Sequence, residues 1–129
     1  MLRGVFSAEQ LDYSKLVLPG DTEPVVPVIA VDEANLARDG LSAIRMVGFA
    51  NRAAVEKTIE VSQATFYSRQ RKELWTKGES SGNVLSVVGM YTDCDNDTLL
   101  LSIVPEGPTC HTGTNSCFEA TEPVTEPKE

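Results

Sequence analysis

The chain has 129 residues and a mass of 14.0 kDa, the length of one domain and too short for a TIM barrel or a Rossmann domain plus a substrate domain. Hydrophobic residues make up 41% and charged residues 23%, so a packed core is attainable and wholesale disorder is excluded. With 11 basic residues against 19 acidic ones, the net charge of -8 gives a surface that repels phosphate backbones, which argues against nucleic-acid partners.

Ser7 and Gln10 fit a capping box for a short helix around Ala8–Leu11. Pro19-Gly20-Asp21 reads as a turn. Val25–Val31 is apolar and β-branched, a strand expected at a sheet edge because Pro27 donates no hydrogen bond. Polar Glu33–Gly40 reads as a hairpin loop leading to a partner strand over Leu41–Phe49. Asn51 is a good N-cap for a helix over Arg52–Val61, with a buried stripe of Ala54, Val55, Thr58 and Ile59. Ala64–Ser68 is a short strand, and Gln70–Asn83, with Gly78 and Gly82, reads as a long loop. Val84–Thr92 and Leu99–Val104 are strands that turn at Asp95-Asn96-Asp97. Glu119–Glu129, with two prolines and four acids, is expected to be a disordered tail behind a single domain over 1–118. The fold class expected is α+β, mostly antiparallel β with one main helix.

The apolar stretches Val25–Val31 and Leu99–Val104 fall far short of the roughly 18 residues of a membrane span. The segment MLRGVFSAEQLDY carries no apolar signal core before a small-residue cleavage site. The expectation is a cytoplasmic protein with no membrane partner. Three cysteines, an odd number, make a poor disulfide framework and suit a reducing compartment.

All three cysteines, Cys94, Cys110 and Cys117, lie in the last third, spaced C-x15-C-x6-C. This is not the C-x2-C knuckle of a structural zinc finger, and three ligands plus water is the catalytic zinc pattern. Three separate core cysteines remain the alternative, although Cys110 and Cys117 sit in the polar segment PTCHTGTNSCF. His111 is the sole histidine. Neighbouring side chains on extended backbone point opposite ways, so His111 reads as a proton-transfer group, or a residue that supports the ligands from behind, rather than a fourth ligand beside Cys110. Asp93, Asp95 and Asp97 alternate along a strand entering a turn and can converge on a hard cation such as Mg²⁺; taken alone, a solvated acidic turn is the plainer reading. Cys94, between these acids, is expected to face the other side and to reach a different metal, one shared with a second subunit. The segment Tyr67–Asn83 holds four of the eleven basic residues and the only tryptophan. Arg69, Arg71, Lys72, Lys77, Ser80 and Ser81 suit a sugar phosphate, and Trp75 would stack on a base or pack a core edge.

The segments FYSRQRKELWTKGESSGN (66–83), DCDNDTLLL (93–101) and EGPTCHTGTNSCF (106–118) resemble the phosphoribosyl-AMP cyclohydrolases of histidine biosynthesis, over roughly Val25–Phe118. The resemblance implies an intertwined homodimer with active sites at its interface. It implies a hydrolase whose nucleotide substrate, phosphoribosyl-AMP, adds water at purine C6 and opens between N1 and C6. It implies Zn²⁺ on Cys94, Cys110 and Cys117, and Mg²⁺ on Asp93, Asp95 and Asp97. It also suggests the monofunctional form, as no pyrophosphohydrolase segment follows Phe118. The stretch before the main helix, which resembles LMLAYMN in the family's usual pattern, reads Ile44-Arg45-Met46-Val47-Gly48-Phe49-Ala50-Asn51 here. A zinc with three thiolates has offset charge and acidifies water weakly, so His111 is the expected general base. The competing reading is a non-catalytic, zinc-stabilised dimeric binding module.

Overall fold

The computed structural model describes residues 3–4, 7–110, 113 and 115–118. The predicted tail, Glu119–Glu129, lies outside the described residues. Among the described residues, seven strands and two α-helices follow one another: β1 (Arg3–Gly4), β2 (Val26–Val31), α1 (Leu36–Asp39), β3 (Ile44–Ala50), α2 (Arg52–Val61), β4 (Thr65–Ser68), β5 (Glu73–Thr76), β6 (Leu85–Thr92) and β7 (Leu99–Pro105). They form a five-stranded sheet in the order β1-β6-β7-β2-β3 and a separate β4-β5 hairpin. The β2–β3, β6–β7 and β4–β5 pairs are antiparallel, while β1–β6 and β2–β7 are parallel. The α+β class with mostly antiparallel pairing therefore holds.

Alternation of side chains across the pleat decides which face is buried. Val26, Val28 and Ala30 of β2 point inward with Leu99, Leu101 and Ile103 of β7 and with Leu85, Val87 and Met90 of β6. Each large side chain sealed there contributes about 1.5–3 kcal/mol of transfer free energy. Helix α2 covers this face with Ala54, Val55 and Thr58. Its start is fixed by Asn51, whose Oδ1 accepts from the Ala54 amide at 2.8 Å, a cap worth about 1 kcal/mol. The buried Thr58 hydroxyl donates to the Ala54 carbonyl at 2.9 Å and accepts from the Thr65 amide at 3.1 Å, joining helix to hairpin. Phe66 of the hairpin lies so close to β3 that a Cβ on Gly48 would sit 2.7 Å from its ring; only glycine admits that approach.

Four expectations need correction. β2 is not an edge strand, since β3 and β7 flank it. Pairing with β7 begins at Val28, so Pro27 lies where β2 has a partner on one side only, and its missing donor disrupts no ladder there. Residues 33–40 are not a hairpin loop: a 3-10 turn over Glu33–Asn35 runs into α1 and then into a second 3-10 turn over Gly40–Ala43, so β3 starts at Ile44 rather than Leu41. The long loop at 70–83 contains β5, whose Glu73-Leu74-Trp75-Thr76 alternation pairs with β4. The capped N-terminal helix is a single 3-10 turn over Ala8–Gln10, with both halves of the predicted capping box formed.

Candidate functional site

The two ends of the β6–β7 hairpin carry different chemistry. At one end β7 leads into the segment bearing Cys110 and Cys117. Cys110 lies close enough to Cys117 to act on its thiol. Partial burial pushes the Cys117 thiol up, the neighbouring Cys110 raises it further, and Lys77 pulls it back down. Among the described residues no disulfide forms. The segment is closed by the Thr109 amide donating to the Asn115 carbonyl at 3.2 Å and fastened to β3 by the Cys117 amide donating to the Arg45 carbonyl at 2.9 Å. The buried Ser116 hydroxyl donates to the Ile44 carbonyl. His111 lies outside the described residues.

The connection from β5 to β6 builds an open cleft of about 200 Å³ whose lining includes Arg71, Trp75, Lys77, Glu79, Ser80 and Ser81. Lys77 lines this cleft, and its charge acts on the Cys117 thiol. Gly78 makes the connection possible. It adopts φ +84°, and a Cβ there would come within 2.3 Å of the Asn83–Val84 backbone. Trp75 is half-buried, its ring 5.1 Å from that of Phe66 and tilted by 32°. One edge therefore anchors in the core while the residue lines the cleft.

Two residues predicted for the same role sit elsewhere. Arg69 donates to the Pro19 carbonyl at 3.0 Å and lines a separate cleft with Leu18, Phe49 and Tyr67. Lys72 pairs with Asp21 at 3.2 Å. Asp21 also accepts from the Tyr67 hydroxyl at 2.7 Å. That bond holds the Asp21 carboxyl well below its usual range and pushes the Tyr67 hydroxyl up to about 12. The turn at 19–21 thus straps the β4–β5 hairpin to the body, a role the sequence reading missed.

At the other end, β6 stops at Thr92, and Asp93, Asp95 and Asp97 lie on the turn itself rather than along a strand. Asp93 Oδ1 accepts from the Asp97 and Thr98 amides at 3.0 and 3.2 Å. That local bonding folds the turn so that an oxygen from each of the three carboxylates lies within 4.8 Å of the others. Lys15 meets Asp95 at 3.1 Å and Asp97 at 3.2 Å. The ammonium holds Asp95 low, while Asp97, facing Asp95 first and Asp93 besides, is raised. Lys15 lies 80 residues away in sequence and carries no local signal of this role. It arrives because the Asp12 amide donates to the Asn96 carbonyl at 2.7 Å.

Cys94 is exposed on this acidic turn. The seven residues of β7 separate it from the paired thiols, and at ~3.3 Å per residue the strand ends lie roughly 20 Å apart. Among the described residues, the aspartate trio is the one three-ligand group within a single chain. One chain therefore brings Cys110 and Cys117 together and leaves Cys94 apart from them.

Comparison with known proteins bears on this arrangement. Residues 46–119 match the family described as Phosphoribosyl-AMP cyclohydrolase. The chain is 46% identical over 112 residues to the histidine biosynthesis bifunctional protein HisIE of Vibrio vulnificus, covering 87% of this chain and 47% of that protein. It is 45% identical over 109 residues to the protein of the same name from Escherichia coli, covering 84% and 48%, and 52% identical over 84 residues to that of Pasteurella multocida, covering 65% and 42%. The chain thus spans about half the length of the curated relatives it matches.

Proposed function

Because the chain belongs to the phosphoribosyl-AMP cyclohydrolase family, we propose that it hydrolyses the purine ring of 1-(5-phosphoribosyl)-AMP in histidine biosynthesis. Water adds at C6, the N1–C6 bond breaks, N1 takes a proton and C6 becomes a carboxamide carbonyl. The observation that carries this reading is that Lys77 lines the cleft while its charge acts on the Cys117 thiol. An anionic substrate seated in the cleft has its ring beside the sulfurs.

Arg71 and Lys77 supply positive charge in an otherwise acidic protein, and Ser80 and Ser81 supply hydroxyl donors for phosphate or ribose. The exposed part of Trp75 gives the base a flat neighbour. Positioning by these groups accounts for much of the rate. His111, next to Cys110, takes the proton from the attacking water and returns it to N1.

Paired, partly exposed thiols are a donor set that fits zinc, and a third sulfur completes the family's ligand count. Cys94 supplies it from a second copy, which accounts for its separation from Cys110 and Cys117 within one chain. A bound zinc would supply Lewis acidity to the attacking water. The aspartate trio fits Mg²⁺, a hard cation that takes carboxylate oxygens. The homodimer this requires has an apolar surface available: Val47, Val88, Leu100 and Val104 stand exposed on the main sheet. As a biosynthetic enzyme on a soluble nucleotide it would work in the cytoplasm. Among the described residues no helix is long and apolar enough to cross a membrane.

The test is an ultraviolet assay of ring opening with phosphoribosyl-AMP, run with and without a zinc chelator and with and without Mg²⁺. Turnover that the chelator removes and zinc restores supports the reading. Zinc binding with no turnover would leave the non-catalytic module in its place.

A further inference from the structure

The pairing of β2 with β3 slips by one residue: Ala30 faces Met46, and Val31 faces Ile44. Arg45 is the extra residue of this β-bulge, a feature that re-aims a side chain. Here it turns an arginine inward until 7% of its side chain is exposed, opposite an Asp32 side chain with 2% exposed. The guanidinium reaches Asp32 Oδ2 at 3.4 Å, the Thr109 hydroxyl at 3.3 Å and the Asn115 carbonyl at 2.5 Å. Asp32 is itself held by Asn35 at 2.7 Å and by its own amide donating to the Ala43 carbonyl at 2.7 Å. Two of the three contacts thus fall on the segment carrying Cys110 and Cys117, one directly before Cys110. The Arg45 carbonyl takes the Cys117 amide.

We propose that Arg45 is a positioning residue for the thiol pair, fixing the spacing of Cys110 and Cys117 for metal, with Asp32 as its neutralising partner. A planar fork suits this task, because one group bridges a carboxylate, a hydroxyl and a carbonyl at fixed angles. The inference rests on the zinc reading of those thiols.

The test is zinc affinity by competition with a chromophoric chelator, together with sulfur-to-metal charge-transfer absorption of the Co²⁺-loaded protein. Arg45→Met should weaken zinc about 10- to 100-fold, the range for groups that orient metal ligands, and should shift the Co²⁺ band. Where Arg45→Met alone fails to fold, the double variant Arg45→Met/Asp32→Leu removes both buried charges, a replacement proteins often tolerate. Arg45→Lys keeps the charge and loses the fork. Weak zinc binding by a folded variant, judged by near-ultraviolet circular dichroism, supports the positioning role. Wild-type affinity in any folded variant overturns it. Wild-type affinity in the Cys110→Ser/Cys117→Ser double variant overturns the zinc reading itself, and the two failures are thereby distinct.

Discussion

The two ends of the β6–β7 hairpin solve the problem of gathering ligands in opposite ways. At the thiol end the segment is fastened by groups that are themselves buried, Thr109, Ser116 and Arg45. At the acidic end the turn is exposed and holds its shape by local bonds from Asp93 and an ion pair with Lys15. The thiol end is set by packing, so errors there propagate through the fold. The acidic turn is set by charge, so errors there are graded and screened by salt.

The strongest way to break this contrast is to remove sulfur. Cys110→Ser, Cys117→Ser and Cys94→Ser should each lower turnover by more than about 10³-fold, the loss of several kcal/mol of metal assistance, measured by the ring-opening assay. Cys94 lies on the acidic turn, so its loss should resemble that of the thiol end rather than that of its neighbours. Next in size, His111→Ala should lower kcat by about 10²–10⁴-fold, the range for a lost general base, with zinc content by metal analysis unchanged.

Lys77→Met tests the link between cleft and thiols. It should raise KM about tenfold, the cost of one charge-assisted hydrogen bond, while kcat moves less. At the acidic end the effects are smaller. Lys15→Met should tighten Mg²⁺ about two- to fivefold by removing the competing ammonium, in keeping with exposed ion pairs. Asp97 has a raised pKa, so as pH falls it protonates before an ordinary aspartate would. The Mg²⁺ concentration for half-maximal activity should therefore climb in mild acid, and Asp97→Asn should flatten that climb. The smallest effect concerns neither end. Asp21 has a depressed pKa, so its strap is fully present above an unfolded-state value of about 4 and is lost as pH falls below it. Acid melting curves of wild type and Asp21→Asn should converge as pH drops.

The helix Arg52–Val61 was legible because its signals are local, a cap and a buried stripe, whereas its end at Ser62 in the left-handed region is known only from the structure. The capping box at Ser7 and Gln10 was legible for the same reason. Strand β2 was misplaced because Pro27 speaks only for one peptide group, whereas the β7 ladder starts one residue later. Strand β5 was missed because four residues of mixed polarity look like loop until β4 is beside them. In the site, the cleft residues Arg71, Trp75, Lys77, Ser80 and Ser81 were readable together because they are close in sequence. The pairing of Cys110 with Cys117 was expected only through the family resemblance, since their C-x6-C spacing alone left separate cysteines open. Lys15, Asp21, Asp32 and Arg45 were not readable, since each acts on a partner brought near only by the tertiary fold. A buried arginine in an apolar strand was the one available hint, because such a charge demands a carboxylate and an acceptor somewhere.

In the proposed enzyme one chain holds two of the sulfurs and its partner the third. Subunit complementation measures this directly: Cys94→Ser and Cys110→Ser chains, each inactive alone, are co-expressed and assayed for ring opening. Shared sites predict recovery of about a quarter of the wild-type rate, because random reassortment makes half the dimers mixed and restores one site in each. No recovery in dimers shown to be mixed would place all three sulfurs on one chain and contradict the account.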